Sequence, residues 1–331
     1  MKKFFVLFLA VIMLISLIAC ARQPDGGTPE KSDGYIAVVL MALNQDYWHI
    51  IEAGANMAAK ELGVEIKVVG PKEETDVAGQ ISLLEDSINA GCIAIALAPT
   101  EPSSLVPVLQ TAQKQGIPVV MIDSDIEGDD QKSLRDTFIG TSEYDGGKLV
   151  GEYLAANLPT GAKVGIVRGP LGAASHNMRV DGAMEVAVPA GIEFVDTQSA
   201  DSDRGKAVTV TENMLEAHPD ISALYCTNDE MAVGAYQACE SKNRTDILIV
   251  GFDGAPDCLQ SILDGKVSAT LAQSPFEMGY QSIQVLVDTL NNGEYTGDAI
   301  MYIPCSVIDN STAQEYLDTL SKKIEEALNS N

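Results

Sequence analysis

The chain has 331 residues, with 47 Asp and Glu against 21 Lys and Arg and a formal net charge of −26. That acidity argues against nucleic acid or an anionic lipid surface as a partner and suits a soluble extracytoplasmic domain. Roughly 300 ordered residues exceed the usual size of one hydrophobic core, so two domains are the natural division.

Lys2 and Lys3 lead into an apolar run from Phe4 to Ile18, which stops at Leu17-Ile18-Ala19-Cys20. A basic start, an apolar core and small residues describe a secretory signal. The core is shorter than the roughly 20 residues that cross a bilayer. Leu-Ile-Ala-Cys resembles the lipobox of bacterial lipoproteins. The resemblance implies that residues 1–19 are removed and that Cys20 takes a diacylglycerol, holding the protein to a membrane face. An ordinary signal peptide or an N-terminal anchor helix is the alternative. Residues 20–34, including ARQPDGGTPEKSD, lack apolar periodicity and are rich in Pro, Gly and charge, as a flexible tether is. Without Lys2 and Lys3, 19 basic residues face 47 acidic ones, a net charge of −28.

From Tyr35 onward, short β-rich runs alternate with segments of helical period, the pattern of βαβ units and parallel sheets. Strands are expected at Tyr35–Leu40, Glu65–Val69, Cys92–Ala98 and Pro118–Ile122, then at Lys163–Val167, Ile192–Thr197, Ala223–Tyr225 and Ile247–Gly251. Helices are expected at Tyr47–Leu62, Thr75–Asn89, Ser103–Gln115, Tyr144–Asn157 and Met178–Val188. Further helices are expected at Gly205–Ala217, Glu230–Ser241, Phe276–Leu290 and about Thr312 to Leu328. Near-continuous apolar strands such as Ile93-Ala94-Ile95-Ala96-Leu97 imply sheets covered on both faces. The two strand series fall either side of Thr137–Thr141, read as a crossover between lobes. Segments near Ala269–Gln273 and Tyr302–Ser306 return the chain. The expected lobes are 35–138 with 272–303, and 139–271 with 304–331.

Beside Cys20 the chain carries Cys92, Cys226, Cys239, Cys258 and Cys305, an odd number without CxxC spacing. Cys92 and Cys226 sit in apolar runs, where a free thiol packs as a small hydrophobe. No disulfide is expected, and no metal centre, since zinc needs clustered ligands. Asp123–Asp130 (DSDIEGDD) has the alternating acids and sixth-position Gly128 of a calcium loop. Its twelfth position is Leu134 rather than a bidentate glutamate, which argues against calcium.

In open parallel sheets, ligands bind beyond the carboxyl ends of strands. Two facing lobes would enclose a cleft lined by the residues just past each strand. Those residues are Asn44, Gln45, Asp46, Tyr47 and Trp48; Asp123, Ser124 and Asp125; Arg179; Asn228, Asp229 and Glu230; Phe252 and Asp253; and Gln273. Carboxylates accept hydrogen bonds, guanidinium donates them in a planar fork, and amides do both. Such a set matches vicinal hydroxyls, while Tyr47 and Trp48, the only tryptophan, offer flat faces for a sugar ring.

The chain resembles the ribose/galactose class of periplasmic sugar-binding proteins, the capture subunits of ABC importers. The resemblance runs from Tyr35 to about Ile308 and is carried by four stretches. These are GTSEYDGGKLVGEY (Gly140–Tyr153), YCTNDEMAVGA (Tyr225–Ala235), IVGFDGAPD (Ile249–Asp257) and ATLAQSPFEMG (Ala269–Gly279). It implies an α/β type I periplasmic binding protein: two Rossmann-like lobes, each a parallel sheet flanked by helices, joined by three hinge crossovers. It also implies that Asp123, Arg179, Asn228, Asp253 and Gln273 hydrogen-bond the ligand. Gln45 matches a position often held by Asn or Asp, Tyr47 and Trp48 match the aromatic pair on one ring face, and Phe252 lines the pocket. Two positions depart from the pattern. Ser124 stands where ribose binders carry a second arginine, and Ser202 where the family usually places an aromatic over the opposite ring face. A different pentose, a hexose or a polyol is therefore expected in place of ribose.

Plainer readings stand beside these. Asp229 reads as a helix N-cap or first-turn acid, Asp253 before Gly254 as a turn residue, and Arg179 as an ion-pair partner of Asp181 or Glu185. His176 lies close enough to Arg179 to form a pocket wall. The function expected is capture of a monosaccharide or polyol for a permease by a lipid-anchored monomer, without cofactor or catalysis. A sensor presenting its closed form to a membrane receptor is the alternative. A sugar-responsive transcription regulator would need a DNA-reading helix-turn-helix ahead of the lobes, where this chain carries a leader. A hydrolase could use Asp123 and Asp253 as an acid/base pair, but no nucleophile motif, metal cluster or phosphate loop supports one.

Overall fold

The computed structural model describes residues 34–126 and 128–329; the leader, Cys20 and the tether up to Asp33 lie outside the described residues. Strand β1 (Tyr35–Val39) is buried throughout, and its two faces feed two cores. Ile36 and Val38 pack with helix α1 (Asp46–Leu62) and helix α9 (Pro275–Asn292). Ala37 and Val39 pack with α2 (Val77–Asn89) and α3 (Pro102–Lys114). This is the period of two of a pleated strand between helical layers, and it explains why the run shows no polar alternation.

The first sheet adds β2 (Glu65–Val69), β3 (Ala94–Leu97), β4 (Val119–Ile122), β5 (Thr137–Gly140) and β11 (Ile300–Tyr302). Its order is β2-β1-β3-β4-β5-β11, with every pairing parallel. The second sheet holds β6 (Lys163–Arg168), β7 (Glu193–Ser199), β8 (Ala223–Cys226), β9 (Leu248–Asp253), β10 (Ala269–Ala272) and β12 (Ser306–Asp309). Its order, β7-β6-β8-β9-β10-β12, repeats the first, except that β12 runs antiparallel to β10. Helices α4 (Glu143–Asn157) and α5 (Ala174–Ala187) cover one face of it. Helices α6 (Arg204–Ala217), α7 (Asp229–Ser241) and α8 (Pro256–Leu263) cover the other.

The chain passes between the sheets three times, after Gly140, after Ala272 and after Tyr302. The segment Thr137–Gly140, read from sequence as a crossover, is instead a paired strand of the first sheet. A run of only four residues looks alike as linker or strand, and only the partner strand decides. Helix α10 (Ala313–Asn329) ties the lobes together. Its Leu320 and Ala327 join Ile50 and Phe276 of the first lobe, while Tyr316 and Leu317 touch the core of the second.

Both lobes seat a helix pair through glycine. A Cβ on Gly54 of α1 would strike the carbonyl of Phe276 on α9, and one on Gly279 the carbonyl of Ile51. In the second lobe, Gly147 of α4 lies against the Arg179 carbonyl and Gly182 of α5 against that of Tyr144. Such contact brings backbones closer than any larger residue allows. It also fixes Arg179 relative to Glu143, which opens α4.

Candidate functional site

The carboxyl ends of both sheets face one another across a tight cavity of about 10 Å³, roughly the space of one water molecule and far below the roughly 300–1,000 Å³ of open ligand pockets. The first lobe contributes Met41, Gln45, Tyr47, Trp48, Glu74 and Asp123. The second contributes Ser175, His176, Arg179, Asn228 and Asp253. Across the gap, Gln45 Nε2 donates to the Ser202 carbonyl at 3.3 Å, and Glu74 Oε2 lies 3.8 Å from His176 Nε2. The jaws are nearly shut.

The second wall is a connected network. Arg179, on α5, donates through Nε to Glu143 Oε2 at 2.5 Å and through Nη2 to Glu143 Oε1 at 3.2 Å. Its Nη1 reaches the Thr227 carbonyl at 2.8 Å and Asp253 Oδ1 at 3.4 Å. The guanidinium lies 4.0 Å from the ring centroid of Phe252, a cation–π contact that supports it from beneath. Gln273 Nε2 donates to Asp253 Oδ1 at 3.0 Å. Asn228 caps α7, its Oδ1 accepting from the Met231 amide at 2.9 Å, and its side chain still lines the cavity.

The first wall is less tied. Tyr47 donates to Asp123 Oδ1 at 2.5 Å. Trp48 meets Tyr47 edge to face, ring centroids 5.0 Å apart, and its Nε1 donates to Glu74 Oε1 at 3.3 Å. Asp123 has φ 65° and Asp253 φ 136°. Both aspartates therefore sit in backbone regions that L-residues rarely adopt, at a cost of roughly 1–3 kcal/mol each.

Charge is concentrated here. Burial, reinforced by the negative charge of Glu143, pushes the Asp123 carboxyl up to about 7, against the pull of Arg179 and the Tyr47 bond. Burial and the charge of Asp229 likewise hold Asp253 well above the usual carboxylate range, with Arg179 opposing. Burial works against the Arg179 cation, but Glu143 and Asp253 outweigh it and keep the guanidinium charged. Arg179 is the one Arg or Lys among the described residues of the lining.

Seven of the residues singled out from sequence, Gln45, Tyr47, Trp48, Asp123, Arg179, Asn228 and Asp253, come together around this cavity. Four take other places. Phe252 is fully buried beneath Arg179 and does not line the cavity. Gln273 engages Asp253, standing behind it. Ser202 meets the site through its carbonyl and through Oγ, 3.2 Å from His176 Nε2. Ser124 lines a separate cavity beside Asp125, Thr141 and Ser142 near the first crossing. Arg179 pairs with Glu143 rather than Asp181 or Glu185, and Glu185 pairs with Lys148. Asp229 occupies the first turn of α7, where it accepts from the Thr270 hydroxyl and the Ala255 amide. In the calcium-like loop, Asp125 engages Arg135 at 2.5 Å. Among the described residues no group of three His, Cys, Asp or Glu could hold a metal ion. The five cysteines from Cys92 to Cys305 are free thiols.

Glu74, Glu143 and Ser175 belong to the site or its support but carry no sequence signal. Glu74 sits in a loop among Glu73 and Asp76, one acid among several. Helix α5 begins four residues before its expected start at Met178. Its polar first turn, Ser175-His176-Asn177, has no apolar period to reveal it.

Residues 36–294 match the periplasmic binding protein domain family. The chain is 34% identical over 290 residues to the ribose import binding protein of Bacillus subtilis (strain 168), covering 85% of this chain and 92% of that protein. It is 34% identical over 264 residues to the D-allose-binding periplasmic protein of Escherichia coli (strain K12), covering 78% and 85%. The solved structure of an ABC transporter periplasmic solute-binding protein from Actinobacillus succinogenes 130z, with bound D-allose, superposes with a TM-score of 0.80. It is 26% identical and covers 86% of this chain and 100% of that one. The chain belongs to the periplasmic binding protein domain family, a family of binding proteins and not of enzymes.

Proposed function

We propose that this chain is the capture subunit of an ABC importer, closing its two lobes over one monosaccharide or polyol and delivering it to the permease unaltered. The supporting observation is the cavity itself: carboxylates, two amides and one guanidinium converge on a space walled by Tyr47 and Trp48. This is the donor and acceptor mixture that vicinal hydroxyls need. The relatives' names, ribose import and D-allose binding, point the same way. In this reading Gln45, Asp123, Arg179, Asn228 and Asp253 bond the hydroxyls, and Tyr47 and Trp48 take a ring face. The crossings at residues 141–142, 273–274 and 303–305 serve as hinges for lobe closure.

Cys20 would carry the lipid that holds the domain at the membrane, with residues 20–34 as its tether. A Cys20→Ala protein should then be released from the membrane fraction; retention would sink the anchor. For the ligand, thermal-shift screening over pentoses, hexoses and polyols should give one chemical group of hits, confirmed by calorimetry with unchanged sugar recovered. Recovery of a converted product would overturn the binding-only reading.

A further inference from the structure

Resting on the sugar-capture reading, one part of the wall has a chemistry of its own. Ser202 and His176 meet Glu74 there from the opposite lobe. His176 Nδ1 lies 2.8 Å from Thr227 Oγ1 and its Nε2 3.2 Å from Ser202 Oγ. Glu74 Oε1 accepts from both Gln45 Nε2 at 3.2 Å and Trp48 Nε1 at 3.3 Å. Its other oxygen, Oε2, has no donor within hydrogen-bond distance, although the side chain is 95% buried and lines the cavity.

The protein answers that oxygen only loosely, through His176 and Ser202. The nearby amide and indole donors are engaged at Oε1, and His176 Nε2 at 3.8 Å is beyond hydrogen-bond reach. Burial lowers the His176 pKa against the pull of Glu74, so the imidazole stays uncharged near neutrality and leaves the carboxylate uncompensated. Burial would raise the Glu74 pKa, yet its polar contacts with His176, Ser202 and Trp48 outweigh it and keep the group ionised. A buried acceptor without a donor is costly. The partner it lacks is a donor brought by the guest.

We propose that Glu74, with His176 and Ser202, forms a polar subsite for a ligand hydroxyl beyond the ring set read by Asp123, Arg179, Asn228 and Asp253. Such a hydroxyl is the hydroxymethyl arm of a hexose, or its equivalent in a polyol, absent from the matching pentose. Glu74 accepts from it, and the His176–Ser202 pair offers the complementary contact.

The test uses sugars whose pyranose rings match except for the hydroxymethyl group: D-allose and D-ribose, D-galactose and L-arabinose, D-glucose and D-xylose. Each is titrated calorimetrically into the wild-type domain, Glu74→Ala and Glu74→Gln. A site built to bond a hydroxyl rejects the analogue lacking it, so in the pair that binds, the hexose should be at least about tenfold tighter. Glu74→Ala should collapse that gap to about twofold or less by weakening the hexose alone. Glu74→Gln keeps an oxygen for Gln45 and Trp48 and should shrink the gap while the unfolding temperature holds. Equal or tighter pentose binding in the wild type overturns the subsite. So does an equal loss for both members of a pair in Glu74→Ala, since that marks a residue that only positions Trp48 and Gln45. If no sugar or polyol binds the wild type, the capture reading itself fails, a result distinct from both.

Discussion

The two walls of the cleft differ in how completely they are assembled before a ligand arrives. In the second lobe the charged groups already have partners: Arg179 holds Glu143, the Thr227 carbonyl and Asp253, Gln273 holds Asp253 through Nε2 while its own Oε1 stays unpaired, and Asn228 caps α7. In the first lobe Asp123 has one side-chain partner, Tyr47, and Glu74 leaves an oxygen without a hydrogen bond. A prewired wall loses little freedom on binding, and preorganisation lowers the cost of association. On the sugar-capture reading, the second lobe is then the docking surface and the first the closing jaw. Substitutions in the second wall should cost both stability and affinity, whereas those in the first should act mainly on binding and on the pH dependence of stability.

The largest effect is expected at Arg179. Removing it leaves Glu143 and Asp253 buried without their cation, and breaking a buried pair from one side costs roughly 3–5 kcal/mol. Arg179→Ala should lower the denaturant midpoint markedly and abolish detectable sugar binding. Arg179→Lys should restore neither fully, because an ammonium cannot reproduce the planar fork on Glu143. A stable Arg179→Ala protein would show that the second wall is not held together as described.

Asp253 comes next. Asparagine tolerates its positive φ better than alanine does, so Asp253→Asn isolates the loss of charge. Affinity by calorimetry should drop roughly tenfold to a hundredfold, in line with a charged hydrogen bond worth about 1.5–3 kcal/mol. Unchanged affinity would remove Asp253 from the ligand's partners.

How legible these residues are in the sequence depends on where they sit. Asp123, Asn228 and Asp253 each stand at or just after the carboxyl end of a buried strand whose apolar run is plain in the sequence. Arg179 is legible through family resemblance, but its tie to Glu143 depends on how α4 packs against α5. The pairing of Glu74 with His176 emerges only in three dimensions, because irregular loops and polar first turns carry no periodic signal. Similarly, α8, only eight residues from Pro256 to Leu263, is too short for helical periodicity, and β5 needs its neighbours to become a strand.

On the first wall, Asp123 should write itself into the pH dependence of the empty protein. Its carboxyl is raised from an ordinary 3.8 to about 7, by burial first and then by the charge of Glu143. The folded state therefore holds the proton more tightly than the unfolded one, and stability falls as pH rises between those values. The penalty is absent below the lower value and complete above the upper. Asp123→Asn should flatten the fall in urea midpoint between about pH 4.5 and about pH 7.5. Some slope should remain, because Glu143 and Asp253 are raised by burial in the same sense. A slope identical to the wild type would mean that Asp123 is already ionised in the empty cleft.

The smallest effect is optical and concerns the jaw alone. Trp48 is the only tryptophan, buried against Tyr47 and bonded to Glu74. Its emission therefore reports the first wall without interference from the second. A sugar lying on this aromatic pair exchanges cleft water for C–H groups at the indole, so saturating ligand should shift the emission or change its intensity. In Asp253→Asn the same final change should appear at higher sugar concentration, since the mutation weakens the opposite wall and leaves the indole's bound surroundings intact. A full-affinity sugar that leaves the emission untouched would put the ligand elsewhere than on Tyr47 and Trp48. The closing jaw would then act only as a cover.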